Sequence, residues 1–120
     1  MISEFLHAAL VVTDLERSAW FYGTVLNLPP LDRPLSFPGL WLGVGTLQLH
    51  LIAQDQVLDD RLNAHQWGRN RHLAFAVDNL EACQVQLEQH GCPVQRSTSG
   101  RSALFTQDPD GNIIELSAIS

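Results

Sequence analysis

At 120 residues the chain is long enough for one domain with a real core and too short for two independent ones. With 45% hydrophobic and 17% charged residues it has an ordinary globular balance, and no apolar run is long enough to span a bilayer as a helix. A formal net charge of −6 with no basic cluster argues against a nucleic-acid surface, and the absence of lysine excludes Schiff-base chemistry, leaving seven arginines to hold any anion.

The start, Met1-Ile2-Ser3-Glu4, carries a carboxylate where a signal peptide needs a basic region, so a cytoplasmic protein is expected. Residues 5–12 form a run of strand length with apolar side chains on both faces. Thr13-Asp14-Leu15-Glu16 follows as a helix start, with a cap acceptor and a carboxylate three residues on, and Leu15, Ala19, Tyr22 and Leu26 recur at helical spacing until Asn27 and Pro29-Pro30 stop the helix. Strands are expected over about 33–37, 40–45 and 47–53. Residues 54–70 are polar, either a plain linker with a helical turn near Val57, Leu58 and Leu62 or a lid carrying His65 and Trp67. A second strand-like run, 71–77, leads into Asp78-Asn79-Leu80-Glu81 and a helix stopped at Gly91, then strands over about 94–98, 102–107 and 112–118, the last two joined by the turn Asp108-Pro109-Asp110-Gly111. Cys83 and Cys92 have neither zinc-pair spacing nor the count of a disulfide framework and are expected to be reduced and structural.

The order is therefore β-α-β-β-β twice, an α+β pattern: one domain over 1–120, with module 1 at about 4–53, a linker at about 54–70 and module 2 at about 71–120. A shift of 65 residues lays His7 on His72, Ala9 on Ala74, Val12 on Val77 and Leu51 on Leu116, which suggests two copies of one unit. It also lays His50 on Glu115.

Side chains alternate across a strand, so parity assigns faces. Leu6, Ala8, Leu10 and Val12 oppose His7, Ala9 and Val11; Leu73, Phe75 and Val77 oppose His72, Ala74 and Ala76. Leu47, Leu49 and Leu51 oppose Gln48, His50 and Ile52, and Ile114, Leu116 and Ala118 oppose Ile113, Glu115 and Ser117. The simplest account packs the bulky faces under the helices and curves a mixed sheet's other face around a metal and ligand cavity. Two histidines and a carboxylate suit a borderline divalent metal with open positions, and Glu115, with no arginine in its own strand, would be costly to bury without a cation.

Phe5-Leu6-His7-Ala8-Ala9-Leu10-Val11-Val12-Thr13-Asp14-Leu15-Glu16, the later Trp20-Phe21-Tyr22, Arg71-His72-Leu73-Ala74-Phe75, and Asp108-Pro109-Asp110-Gly111-Asn112-Ile113-Ile114-Glu115-Leu116 resemble the glyoxalase/bleomycin-resistance/extradiol-dioxygenase (vicinal oxygen chelate) superfamily over essentially the whole length. The resemblance implies that His7, His72 and Glu115 bind a divalent ion (manganese, nickel, zinc, cobalt or ferrous iron) and that the chain forms a homodimer. His50 stands where glyoxalase I enzymes carry a second glutamate, as a fourth ligand or as a contact to substrate or its neighbours. The expected activity is glyoxalase-like lyase or isomerase chemistry on a small molecule with vicinal oxygens, through an enolate, with Glu115 as ligand and possible base. A ferrous dioxygenase and a binding protein that sequesters a small molecule without turnover are the alternatives. Arg101, Trp41 and Gln48 are candidate substrate contacts; a solvated hairpin residue is an equal reading of Arg101, and packing an alternative role for Trp41 and Trp67.

Overall fold

The structure is a computed structural model describing residues 1–119; Ser120, the end of the expected second module, lies outside the described residues. The chain divides into two compact units, Met1–Val57 and one beginning at Leu58, each with the expected β-α-β-β-β order.

In the first unit, β1 (His7–Val12), β2 (Pro30–Leu31), β3 (Gly39–Val44) and β4 (Leu47–Ala53) form a mixed sheet in the order β1-β4-β3-β2. β1 runs parallel to β4 with Ala9 opposite His50, and β3 runs antiparallel to β4 with Trp41 opposite His50. The parity reading holds: Val12, Leu42, Leu49 and Leu51 are buried while His7 and Ala9 are exposed. Leu6, expected on the bulky face, precedes the strand and is 66% exposed.

Helix α1 (Leu15–Ala19) is shorter than expected and continues as a π-helical stretch, Trp20–Val25, in which Leu26 N–H bonds Phe21 C=O. Ser18 on α1 and Phe21, Tyr22 and Val25 on the wider-wound stretch are buried, so of the expected Leu15, Ala19, Tyr22 and Leu26 only Tyr22 reaches the core. Its cap is Asp14, whose carboxylate accepts from Arg17 N–H at 3.0 Å, one residue later than the Thr13 cap that would have used Glu16 reciprocally. Asn27, at φ 59°, ends the element as expected.

The strand expected over 33–37 is absent. The short strand is Pro30–Leu31, and the following chain loops around Arg33, whose Nη1 donates to Phe37 C=O at 2.5 Å and Leu35 C=O at 3.3 Å while its guanidinium lies 4.5 Å from the Phe37 ring centre. The guanidinium takes over the carbonyls that a neighbouring strand would have used, and Pro34 and Pro38 bring no N–H to a ladder.

In the second unit, β5 (His72–Val77), β6 (Gln95–Arg96), β7 (Ala103–Gln107) and β8 (Ile113–Ala118) repeat the plan in the order β5-β8-β7-β6, with β5 parallel to β8 and both Ala74 and Phe105 opposite Glu115. Helix α2 (Leu80–Gln89) is capped by Asn79, which accepts from Ala82 N–H, again one residue past the expected Asp78, and buries Leu80 and Leu87. Cys83 and Cys92 are free thiols, half-buried. The Asp108–Gly111 turn forms as expected: the Asp108 carboxylate accepts from Asp110 and Asn112 N–H, and Gly111 takes φ 88°. The strand expected over 94–98 shrinks to Gln95–Arg96.

Before β5 the expected helical turn near residues 57–62 is not formed; a 3₁₀ turn occupies Trp67–Arg69 instead. Asn70 explains it. Its side-chain oxygen accepts from Leu62 and Asn63 N–H at 2.7 and 2.9 Å, and its amide nitrogen donates to Asn63 and Trp67 C=O, so one residue closes the loop on itself. Gln95 then fastens that loop to the sheet, accepting from Trp67 N–H at 2.9 Å and donating to His65 C=O at 2.7 Å.

Candidate functional site

Each unit carries its own group of the expected residues. In the first, β4 puts Gln48 and His50, β1 puts His7 and β3 puts Trp41 against a cavity of about 630 Å³, closed on another side by Arg33, Leu35 and Phe37. The rings form a continuous stack: Trp41 and His50 lie 4.3 Å apart at 7°, and His50 and His7 lie 3.9 Å apart at 17°. The cross-strand register produces this row, because Trp41 faces His50 directly and His7 is its diagonal neighbour. His50 Nε2–H donates to Gln48 Oε1 at 2.8 Å, which leaves Nδ1 as the acceptor. Burial, then the nearby His7 and Arg33, lowers the His50 pKa below the ordinary imidazole value and keeps the ring neutral.

In the second unit, β8 buries Glu115 to 6% exposure beside His72 on β5. His72 Nδ1–H donates to Asn70 C=O at 2.7 Å, and Nε2 lies 3.2 Å from Glu115 Oε1. Both ring nitrogens thus face acceptors, an arrangement that suits a cation placed between Nε2 and Oε1. The Phe105 ring stands edge-on to His72 at 5.6 Å. On the other carboxylate oxygen, Ser117 Oγ–H donates at 2.5 Å and Arg101 Nη1 at 3.4 Å. Burial pushes Glu115 upward, but the Ser117 hydroxyl, the Arg101 bond and charge, and His72 outweigh it, so the carboxyl sits below its ordinary value and is ionised.

These contacts correct one expectation: the buried carboxylate already has a cation, Arg101, supplied by the hairpin before β7, so its burial does not by itself require a metal. Among the described residues no three His, Cys, Asp or Glu side chains gather as a metal-holding group. The pairs differ in their fitness for one. Donors about 2 Å from a common ion lie about 3 Å apart, which is the His72–Glu115 spacing, and Asn70 orients His72 as an outer carbonyl does for a ligating imidazole. Imidazoles bind metal in their ring planes, and the stacked planes of His7 and His50 share no point within bond length of both, so only one of the two can serve a given ion in this arrangement.

Sequence reading missed Arg33, Ser117 and Phe105. Ser117 shared Glu115's parity and was visible as a partner two residues along; Arg33 reaches its place through an irregular loop that periodicity does not describe.

The sequence profile of the Glyoxalase/Bleomycin resistance protein/Dioxygenase superfamily matches residues 4–116. Lactoylglutathione lyase of Salmonella typhimurium is 33% identical over 125 residues, covering 92% of this chain and 89% of the relative. A protein named Glyoxylase I 4 from Arabidopsis thaliana is 26% identical over 119 residues, covering 92% of this chain and 67% of the relative. Among solved structures, the monoclinic form of the fosfomycin resistance protein FosX from Listeria monocytogenes matches with TM-score 0.81 at 18% identity, covering 100% of this chain and 94% of that one. Lactoylglutathione lyase from Agrobacterium tumefaciens matches with TM-score 0.70 at 22% identity, covering 98% and 94%. The structural matches establish a common fold, and with the profile spanning both β-α-β-β-β units the chain belongs to the glyoxalase/bleomycin resistance protein/dioxygenase superfamily.

Proposed function

We propose that the chain is a divalent-metal-dependent enzyme of the glyoxalase type, performing lyase or isomerase chemistry on a small substrate with two neighbouring oxygens. The observation that carries this reading is the His72–Glu115 pair: a buried, ionised carboxylate 3.2 Å from an imidazole whose far nitrogen is tied to a backbone carbonyl. The similarity to a lactoylglutathione lyase at 33% identity supports the same chemistry. His72 and Glu115 would hold the ion, and His7 is assigned to the same donor set.

Bound there, a divalent ion would supply Lewis-acid stabilisation of negative charge developing on the substrate oxygens. The protein's own groups do the rest. Ser117 and Arg101 both donate to Oε2 and hold the Glu115 carboxylate ionised and fixed, which leaves Oε1, beside His72, as the oxygen that would hold an ion or take a proton. His50, neutral and held between Trp41 and His7, fixes the His7 ring plane.

Titration calorimetry of chelator-treated protein with manganese, nickel, zinc, cobalt or ferrous iron tests the reading, followed by hemithioacetal isomerisation with whichever ion binds. One ion per site is expected, with Glu115→Gln and His72→Ala each weakening it by about tenfold or more. Absence of binding by every ion near neutral pH, or a Glu115→Gln variant that binds as tightly as wild type, refutes it.

A further inference from the structure

Four of the seven arginines, Arg61, Arg71, Arg96 and Arg101, pair with carboxylates. Arg17, Arg33 and Arg69 make no ion pair among the described residues. Arg17 and Arg69 are exposed, where water solvates the charge; of the three, Arg33 alone is half-buried. Its Nε is buried and donates to nothing, and its Nη1 is taken by the Phe37 and Leu35 carbonyls, which bring no charge. A cation drawn out of water without a counter-charge is costly, so an anion placed beside it is stabilising.

This guanidinium stands in the wall of the first unit's cavity of about 630 Å³, which none of the thirteen acidic residues lines. Gly39 makes room for it, since a Cβ there would come within 2.7 Å of Arg33 Nη2 and 2.6 Å of the Leu51 carbonyl oxygen. The other polar groups are suited to an anion as well: Gln48 Oε1 already accepts from His50, which leaves its amide N–H groups for a ligand, and Thr46 adds a hydroxyl. Flat and apolar side chains supply the rest of the lining. Trp41, His50 and His7 stack in a row, the exposed Phe37 ring lies 4.5 Å from the guanidinium, and Leu6 and Leu35 are exposed beside them. The smaller cavity of the second unit, about 230 Å³ between the Trp67–Arg69 turn and Phe105, differs in that its Arg96 and Arg101 already have Glu81 and Glu115.

We propose that the first-unit cavity binds a flat aromatic monocarboxylate, with Arg33 selecting the carboxylate and the Trp41 and Phe37 rings selecting the arene. A single guanidinium fork matches the two coplanar oxygens of a carboxylate, whereas a dianion calls for further cations beside Arg33. Aliphatic side chains alone hold any apolar ligand; aromatic rings favour a flat one through offset or edge-on contact. The volume is that of a cavity for a small organic molecule of a few rings. That such a molecule is the substrate rests on the function proposed above; its binding does not.

The test titrates the full chain, stripped of metal by chelation, with 2-naphthoate, with its neutral analogue 2-naphthalenemethanol and with the non-aromatic cyclohexanecarboxylate. Calorimetry reads affinity, and nuclear Overhauser contacts between ligand and protein rings read the place. Saturable naphthoate binding about tenfold or more tighter than that of either analogue is expected, with contacts to the Trp41 and Phe37 rings. Arg33→Gln should bring naphthoate down to the affinity of the alcohol while the alcohol stays within about threefold of wild type, a separation that collapse of the loop does not produce because it removes both. Where Arg33→Gln loses both ligands, Arg33→Lys decides: the retained charge should restore a preference for naphthoate over the alcohol, and no restored preference overturns the proposal. Arg17→Gln, an exposed arginine in α1, should change nothing. No saturable binding, either analogue binding as tightly as naphthoate, ring contacts elsewhere, or a charge preference unchanged in Arg33→Gln also overturns it. Naphthoate binding in a protein that takes up no metal leaves this inference standing and removes the proposed metal chemistry; metal uptake without naphthoate binding does the reverse.

Discussion

Replacing Gly68 by alanine asks how rigidly the second unit holds its cavity wall. The new Cβ would lie 2.4 Å from Phe105 Cζ, 2.9 Å from Cε1 and 3.1 Å from Cε2, so something must move. The ring cannot swing freely, because Phe105 is 6% exposed and braced against His72. The loop cannot lift freely either, because Trp67 N–H and His65 C=O are bonded to Gln95 and the Trp67 carbonyl to Asn70. Overpacking of this kind costs about 1–3 kcal/mol, offset by about 0.4–1 kcal/mol from the stiffer unfolded chain. The net loss, on the order of 1 kcal/mol, should lower the melting temperature by about 3–6 °C in calorimetry. Gly23→Ala is the counter-experiment: it sits in the helical stretch, where an added Cβ would meet nothing within 4 Å, so the same substitution should stabilise by about 0.5–1 kcal/mol. If Gly68→Ala melts with or above wild type, the tight contact of loop and ring is wrong, and with it the cavity drawn between them.

His50→Phe keeps a ring between Trp41 and His7 but removes both nitrogens; metal affinity within about threefold of wild type is expected, and a loss as large as that of His7→Ala would make His50 a ligand after all. Ser117→Ala removes a hydrogen bond to a buried charge and should cost about 1–3 kcal/mol at neutral pH. Because the folded Glu115 value is lowered, its stabilising contribution is present above the unfolded carboxylate range and is lost as pH falls through the folded value; the variant raises that value, so acid unfolding should begin at higher pH, and an unchanged acid midpoint refutes the assignment. Burial raises both the Cys83 and Cys92 thiols, with Asp78 adding to Cys83, so iodoacetamide should modify them more slowly than free cysteine at neutral pH, with a rate that still climbs at a pH where that of free cysteine has levelled off. Modification at the rate of free cysteine contradicts this.

The regular parts of this fold were legible because strand parity and cap chemistry are local. Leu49 and Leu51 inward against His50, and the Asp108-to-Gly111 turn, follow from the residues themselves. The cap positions slipped by one because Thr13 and Asp14, and Asp78 and Asn79, are adjacent acceptors; the helix starts where φ and ψ let a side chain reach the third amide, which composition does not decide. The π-helical stretch and the loop at 32–38 were hidden for a different reason. Each depends on a contact made after folding, the Leu26-to-Phe21 bond in one and the Arg33 guanidinium on Phe37 in the other.

The candidate residues were also legible, whereas their electrostatics were not. The 65-residue shift places His50 and Glu115 at equivalent positions, and in both units a β-strand residue bearing an aromatic ring lies opposite: Trp41 across from His50, Phe105 across from Glu115. From this common frame the two positions diverge through neighbours that sit outside the alternating pattern. At His50, burial first and then the neighbouring His7 and Arg33 disfavour protonation, so the ring stays neutral and stacks. Beside Glu115, Arg101 and Ser117 supply donors, so the carboxyl stays ionised and the ring opposite packs on His72 instead. One unit thereby presents a wide cavity faced with flat rings, and the other a smaller cavity rimmed by guanidinium groups. The same strand position therefore carries a neutral, stacked ring in one unit and an ionised carboxylate in the other, and the difference lies in what flanks it.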